Sequence, residues 1–277
     1  ASISGNTLTI TPTKVGEGEI TFVKKATRYD MPPVVYFSNH SQNVFRPGNY
    51  DPVTSRFTIK ISGGSIELYK LDKDTKESYP QGNATLEGAV YEIYDTNYKL
   101  ITTLVTDEYG YAKTEKILFP NVEYILKEKK ASKGYLLDTE EHRFTLTEDN
   151  LDIYIDVYEK IIERKVNLFK VIASNKTGIL TPEPNISFEI YLNDCNLNKA
   201  PRLMAIDVDT NTEVNPYCLV NTITTDKNGF AEITLPYGKY TFRQVNSTPN
   251  YEKVNDFEIV IDENADDEVF RCKTSQW

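Results

Sequence analysis

The chain has 277 residues, of which 39% are hydrophobic and 12% aromatic, which allows two or three folded domains and excludes a disordered tail. Its formal net charge of -10 at pH 7 makes nucleic acid an unfavourable partner, because an acidic surface repels phosphate backbones. No stretch is apolar enough to cross a bilayer, and three Cys with two His match no common zinc pattern, so we predict no membrane insertion, no metal and no other cofactor.

Hydrophobic and polar residues alternate with a period of two along much of the chain, which is typical of β-strands. Gly, Pro, Asn and Asp separate these stretches, and no window shows a capped helical stripe. The predicted class is therefore all-β, built from short strands. The clearest predicted strands lie at residues 7–10, 34–37, 56–61, 66–71, 90–94 and 152–157.

The N-terminal residues 1–62 are predicted to form a partial β-sandwich segment of their own. They lack the basic, apolar and small-residue order of a signal peptide, so we expect a mature piece of a longer secreted protein. SGNTLTI (4–10) and SQNVFRPGNYDPVTSRFTI (41–59) resemble the β segment that follows the thioester domain in certain Gram-positive adhesins. The resemblance implies an upstream Cys-Gln thioester head that captures host nucleophiles. The head would lie outside this sequence, whose first cysteine is Cys195.

An internal repeat organises the rest of the chain. TDEYGYA (106–112) returns as TDKNGFA (225–231), and YILKE (124–128) returns as YTFRQ (240–244). The strand that ends at Leu71 matches one that ends at Val171, and the order of all matches is preserved. The sequence therefore predicts two tandem copies of one module, at residues 63–162 and 163–277.

The second copy carries an insertion around residues 193–221 that the first copy lacks. Cys195 and Cys218 bracket the insertion and could form a disulfide, which would contribute about 3 kcal/mol for a loop of this size. Two buried free thiols are the alternative. The sequence leaves this choice open.

Three stretches of the first copy carry a family resemblance: ELYKLDKDT (67–75), LEGAVYEIYD (86–95) and YILKEKKASKGY (124–135). They resemble the collagen-adhesin B-type modules of Gram-positive adhesins and pilins. The resemblance implies prealbumin-like, Ig-like β-sandwiches in an elongated array, secreted and held at the cell wall by an anchor outside this chain. It further implies a structural stalk without enzymatic turnover, monomeric in isolation, whose parent adhesin contacts a host surface or extracellular matrix protein.

In that family, a lysine of the first strand forms an isopeptide bond with Asn or Asp of the last strand, assisted by an acid on a central strand. The resemblance makes Lys70 the nucleophile and Glu128 the assisting acid, and it puts Glu159 where Asn or Asp is expected. Asp156 is the alternative acceptor, although strand alternation points it to the opposite face. Burial would favour the neutral amine and the protonated acid that the reaction needs. A noncovalent salt-bridge cluster remains the other hypothesis.

The second copy keeps the lysine as Lys170 but changes its partners. Gln244 replaces the assisting acid, and Cys272 or its neighbour occupies the acceptor position. An amide cannot relay a proton, so we predict no isopeptide bond in this module. A buried Lys170 would then need another partner, because an unpaired buried charge is costly.

Three functions from different classes fit the sequence. The first is the structural stalk, and the second is a host-ligand-binding module that uses the insertion. The third is a secreted hydrolase, which would need a pocket with convergent polar groups. The stalk is the favoured prediction, because the repeat and the resemblance cover both modules.

Overall fold

The computed structural model describes residues 2–4, 7–24, 53–174, 177–195, 218–265 and 268–275. Within these ranges the secondary structure consists of β-strands and turns without an α-helix, which confirms the predicted all-β class. None of the described residues belongs to a helix long and apolar enough to cross a membrane. The strand predicted at residues 34–37 lies outside the described residues.

The described part of the N-terminal segment contains two separate antiparallel strand pairs. Strand β1 (Ser2–Ser4) pairs antiparallel with β2 (Thr7–Thr9). The longer strand β3 (Gly16–Lys24) pairs antiparallel with β4 (Val53–Ile61). The predicted strands at 7–10 and 56–61 fall on β2 and β4. The assignment of residues 1–62 as one partial sandwich stays a prediction.

The first module is a two-layer sandwich of seven strands. A four-stranded antiparallel sheet in the order β10-β9-β6-β7 and a three-stranded sheet in the order β11-β5-β8 share one hydrophobic core. Strand β11, the last of the module, runs parallel to β5, the first. The strands are β5 (Ser65–Asp72), β6 (Val90–Asp95), β7 (Leu100–Val105), β8 (Tyr111–Lys113), β9 (Glu123–Lys130), β10 (His142–Thr145) and β11 (Asp152–Glu159).

The second module repeats this arrangement and adds one strand. Its sheets have the orders β18-β17-β14-β15 and β19-β12-β16, and β13 adds to β12. The first and last strands, β12 and β19, are again parallel. The strands are β12 (Glu163–Ala173), β13 (Leu180–Pro182), β14 (Ser187–Leu192), β15 (Leu219–Thr224), β16 (Phe230–Pro236), β17 (Gly238–Gln244), β18 (Phe257–Ile261) and β19 (Glu268–Ser275). The boundaries 63–162 and 163–277 stay predictions.

The repeated TDxxGxA turn holds the backbone of the first-strand lysine in place. In the first module the buried Thr106 hydroxyl accepts from the Ala89 N–H and donates to the Leu86 carbonyl. Gly110 adopts a φ of 77°, and a Cβ there would come within 2.5 Å of the Lys70 carbonyl oxygen. The Gly110 carbonyl accepts from the Lys70 N–H at 2.8 Å. Only glycine suits both this conformation and this approach.

The second module builds the same turn. Thr225 accepts from the Ile186 N–H and donates to the Glu183 carbonyl, so Glu183 occupies the position that Leu86 has in the first module. The Gly229 carbonyl accepts from the Lys170 N–H at 2.8 Å, and a Cβ on Gly229 would come within 2.4 Å of the Lys170 carbonyl oxygen. The TDxxGxA turn that the sequence repeats therefore positions the backbone of the first-strand lysine in both modules.

The two modules meet at Tyr237, which lies between β16 and β17. Its N–H donates to the Ile162 carbonyl at 2.7 Å, and its carbonyl accepts from the Asn83 N–H at 2.9 Å. Its ring lies against Gly134 of the first module, where a Cβ would come within 2.8 Å of the ring. The ring packs on a small hydrophobic cluster formed by Ala84, Leu86, Tyr135 and Ile161.

The Asn83 side chain binds the second module through both of its polar atoms. Its Nδ2 donates to the Asn193 carbonyl at 2.9 Å, and its Oδ1 accepts from the Lys239 N–H at 2.9 Å. Asn83 thus joins the first module to β17 and to the end of β14. These bonds restrain the angle between the modules.

We predict that Asn83→Ala loosens this junction. The substitution removes the partners of the Asn193 carbonyl and the Lys239 N–H, and each of these partly exposed hydrogen bonds is worth about 0.5–1.5 kcal/mol. Hydrogen exchange at the Lys239 amide should accelerate, because its acceptor is gone. Asn97→Ala, at an exposed turn residue, is the matched control and should leave this amide unchanged. Unaltered exchange at Lys239 in the Asn83 variant would contradict the assigned role.

Candidate functional site

Lys70 lies on the inward face of β5 and is fully buried. Strands β5 and β11 pair in parallel register, with Lys70 beside Val157. Glu159 follows two residues later on the same face, so its side chain also enters the core, where it is 2% exposed. The register is regular, so Asp156 points outward and is exposed. The alternative prediction, that Asp156 is the acceptor, is therefore wrong.

Three predicted residues meet in the first core. Lys70 Nζ contacts Glu159 Oε2 directly, and Glu128 Oε1 lies 3.6 Å from Lys70 Nζ. The side chains of all three residues are 0% exposed. The structure thus brings together the proposed nucleophile, acid and acceptor from β5, β9 and β11.

Two neighbours complete the contacts of the carboxyl groups. The Tyr91 hydroxyl, from β6, donates to Glu159 Oε1. The Asp138 N–H donates to Glu128 Oε2 at 2.7 Å. Each carboxyl group therefore has one oxygen held by a hydrogen bond and the other oxygen directed at Lys70. Sequence reasoning missed Tyr91, which reads as an ordinary inward-facing core residue.

Tyr135 forms the wall of the site on the side of the module junction. Its ring centroid is 4.8 Å from Lys70 Nζ. Its hydroxyl donates to Asp72 Oδ2 at 2.9 Å, and Asp72 itself is fully buried and also accepts from Gln81. The buried, hydrogen-bonded carboxylate of Asp72 therefore fixes the position of the Tyr135 ring. The ring excludes water from the amine.

Burial changes the protonation of the site. It lowers the pKa of Lys70 from 10.5 to about 8, although the Glu128 carboxylate opposes the shift. It raises the pKa of Glu128 above its ordinary 4.5, against the opposing influence of the Lys70 charge. Both shifts favour the uncharged forms, a neutral amine beside a neutral acid. These are the forms needed to make an amide.

The second module has the same lysine with a different acceptor position. Lys170 is fully buried on β12 and pairs in register with Cys272 of β19. Cys272 therefore corresponds to Val157, and Thr274, two residues later, takes the place of Glu159. The prediction that Cys272 or its neighbour occupies the acceptor position is wrong, because the register puts that position two residues beyond Cys272. Lys170 Nζ donates to Thr274 Oγ1 at 2.7 Å, and a hydroxyl cannot be the acyl partner of an amine.

Glu183 is the residue that neutralises Lys170. Its Oε2 lies 2.5 Å from Lys170 Nζ, and its Oε1 accepts from the Thr248 N–H at 3.1 Å. Burial raises its pKa, but the hydrogen bonds from Lys170 and Thr248 outweigh burial and bring the pKa below 4.5. Glu183 is therefore an ionised partner of the lysine. Aligning LEGAVYEIY (86–94) with EPNISFEIY (183–191) would have placed an acid at this buried position.

Gln244 and Phe188 stand where the first module has Glu128 and Tyr91. Tyr91 pairs across β6 and β9 with Glu128, and Phe188 pairs across β14 and β17 with Gln244. The Gln244 amide donates to the Asn246 carbonyl at 2.6 Å and accepts from the Val254 N–H at 3.0 Å. It supports a loop and provides no acid for Lys170.

The structure joins Cys195 to Cys218 by a disulfide, with a Cα to Cα distance of 6.0 Å. The bond closes the insertion between β14 and β15. Cys272 is a free, buried cysteine whose pKa is raised by burial to about 11. Among the described residues, no group of three or more His, Cys, Asp or Glu side chains is placed to hold a metal ion.

A family model for the SpaA prealbumin-like fold domain matches residues 64–161 and again residues 169–274. The chain belongs to this family. The prealbumin-like sandwiches predicted from the sequence are confirmed. Among the described residues, each of the two prealbumin-like domains contains one buried lysine site, and the first of these two sites combines an amine, an assisting acid and a carboxyl acceptor.

Individual relatives are surface proteins and pilins of Gram-positive bacteria. The trypsin-resistant surface T6 protein of Streptococcus pyogenes serotype M6 is 42% identical over 101 residues, which cover 36% of this chain and 17% of that protein. The Bacillus anthracis TIE protein matches 82% of this chain and 37% of its own, with a TM-score of 0.55 and 22% identity. GBS52, the minor pilin of Streptococcus agalactiae, matches 77% of this chain and 96% of its own, with a TM-score of 0.32 and 16% identity.

This chain therefore spans less than half of the T6 and TIE proteins. The matches confirm the predicted relationship to Gram-positive surface proteins and pilins. The upstream thioester domain stays a prediction.

We predict that Glu183→Gln destabilises the second domain and removes part of its acid sensitivity. Loss of one partner from a buried ion pair costs about 3–5 kcal/mol at neutral pH. Because the folded pKa of Glu183 is below 4.5, its stabilisation is present above 4.5 and is lost as the pH falls through the folded pKa. Calorimetric unfolding at a series of pH values should show the two proteins converging in acid.

Glu232→Gln is the matched control for this substitution. Glu232 pairs with Lys165 at 3.6 Å on the surface, where such a pair contributes at most about 1 kcal/mol. A constant stability difference between wild type and the Glu183 variant at all pH values would show that Glu183 does not titrate against Lys170.

Proposed function

We propose that the chain is a structural stalk segment of a Gram-positive surface protein, and that its first domain is locked by an amide bond between Lys70 and Glu159. The buried contact between Lys70 Nζ and the Glu159 carboxyl group, with Glu128 beside it, carries this proposal. Among the described residues, Lys70 Nζ, Glu128 Oε1 and Glu159 Oε2 make no hydrogen bond of ordinary geometry. Lys70 Nζ and Glu159 Oε2 face each other directly, so an amide bond would replace their contact.

The reaction begins from a cluster with no net charge. An ammonium, one carboxylate and one carboxylic acid hold the same number of protons as a neutral amine with two carboxylic acids. In the second form, Lys70 Nζ attacks Cδ of Glu159, and a C–N bond forms. Glu128 accepts a proton from Nζ and gives one to Glu159 Oε2, which leaves as water. Glu128 ends unchanged, so the bond forms once per molecule without turnover.

The proposed bond changes how the domain carries tension. Lys70 lies near the start of the domain and Glu159 near its end, four residues before the first residue of β12 in the second domain. A pulling force applied along the chain would pass from β5 through the amide into β11. The residues between Lys70 and Glu159 would carry none of it. This property suits a stalk, which must hold a distal binding head against shear.

The location and partners follow from the same proposal. The family and the surface-protein relatives support an extracellular, cell-surface position. A host surface or extracellular matrix protein would be bound by the parent protein. Ligand binding through the insertion stays a prediction, since the structure describes only 193–195 and 218–221 of that segment. The secreted hydrolase also stays a prediction.

Intact-mass measurement tests the bond directly. The denatured, reduced chain should be lighter than its sequence by one water. Glu128→Gln should have the full mass calculated for its own sequence, because the amide cannot relay the proton. Lys170→Met, the matched lysine control in the second domain, should still lack one water. A wild-type chain of full sequence mass would refute the proposal.

The bond should also stabilise the first domain. A crosslink that closes a loop of this length is worth about 4–5 kcal/mol in the chain-entropy model. Lys70→Met removes the nucleophile and Glu128→Gln removes the assisting acid, so neither variant can form the bond. Both should lower the thermal midpoint of the first domain and expose it to trypsin. Lys170→Met should leave that transition in place. Equal midpoints in linked and unlinked proteins would show that the bond does not stabilise the first domain.

A further inference from the structure

Tyr91 is placed to take part in the chemistry of Glu159. It lies on β6, is fully buried, and pairs across the sheet with Glu128. Its hydroxyl donates to Glu159 Oε1, whereas Lys70 Nζ contacts Oε2. The two oxygens of the acceptor are thus distinguished before any bond forms. Oε1 is held by a donor, and Oε2 is beside the amine and the proton relay.

We propose that Tyr91 is a catalytic residue of amide formation, donating the hydrogen bond that stabilises the developing negative charge on Glu159 Oε1. This inference rests on the proposed Lys70–Glu159 bond. When Nζ attacks Cδ, the carbonyl electron pair moves onto Oε1, where the Tyr91 hydroxyl already points. When the pair returns, Oε2 leaves as water through the Glu128 relay. Tyr91 keeps its proton throughout.

The environment of Tyr91 suits a permanent donor. Burial raises its pKa well above 10, and the nearby Glu128 raises it further, so the hydroxyl stays protonated over the whole range in which Lys70 and Glu128 titrate. A donor in a dry core stabilises an oxyanion far more than one in water. The donor is also in position before the reaction and needs no rearrangement.

The second domain offers an internal comparison. Phe188 occupies the position of Tyr91, is equally buried, and packs in a core of the same design. That domain has Thr274 where the first has Glu159, so it has no carboxyl group to activate. A phenyl ring therefore satisfies the packing at this position. The hydroxyl of Tyr91 is present where there is an acceptor for it to polarise.

The test follows bond formation in the full chain made by cell-free synthesis. Samples are quenched in denaturant at intervals, and the linked fraction is read from the intact mass. Tyr91→Phe should slow linkage by about 100-fold or more, the usual effect of losing one oxyanion donor. Tyr94→Phe is the matched control on the same strand, where the hydroxyl donates to Glu92 away from the site. It should link at the wild-type rate.

The pH profile separates a catalytic hydroxyl from a packing residue. Tyr91→Phe should lower the rate by the same factor at every pH, because Tyr91 does not titrate, whereas Glu128→Gln should abolish linkage at all pH values. Replacement of Tyr91 by 3-fluorotyrosine keeps the packing and makes the hydroxyl a stronger donor, so linkage should accelerate. Circular dichroism of each unquenched sample verifies folding, and the fluorinated chain decides the outcome if Tyr91→Phe does not fold.

Three results would overturn the inference, and they separate the role of Tyr91 from the proposed bond. If wild type and Tyr91→Phe form the bond at the same rate, Tyr91 has no part in the mechanism, and the proposed function is unaffected. If Tyr91→Phe does not fold but the 3-fluorotyrosine chain does, linkage no faster than in wild type would likewise exclude Tyr91 from the mechanism. A wild-type chain that never loses water would refute the proposed bond, and the role of Tyr91 with it.

Discussion

A lysine buried in a β-sandwich dictates the design of each domain. Both copies place the amine on the first strand with its backbone held by the TDxxGxA turn, and both leave it 0% exposed. A lone ammonium in such a core would be very unfavourable, so each domain must provide a partner. The first provides two carboxyl groups from different strands, and the second provides one carboxylate and a hydroxyl.

The surroundings of the two buried lysines differ at four positions. Tyr91, Glu128 and Glu159 surround the first lysine, and their counterparts are Phe188, Gln244 and Thr274. The fourth change introduces Glu183 where the first domain has Leu86. The first set favours neutral groups and suits covalent chemistry. The second set favours an ion pair, because hydrogen bonds keep Glu183 ionised.

Much of this arrangement could be predicted from strand periodicity and the internal repeat. Alternation along β5 and β11 puts Lys70 and Glu159 on inward faces and Asp156 outside, and the repeat identifies Lys170 and Gln244. Thr274 was missed because its place depends on the parallel register of β12 with β19, which sequence spacing does not reveal. Glu183 was missed because it precedes its strand, in a loop where an acid normally faces solvent.

The parallel pairing of the first and last strands has a consequence for the order of events during synthesis. Lys70 emerges early and Glu159 late, and they meet only when β11 docks beside β5 in a closed core. Water is excluded only then, so the amine stays charged and unreactive in any partly folded chain. The proposed amide would therefore act as a checkpoint that seals a domain only after its last strand is in register. A copy whose last strand failed to dock would stay unsealed and open to proteases.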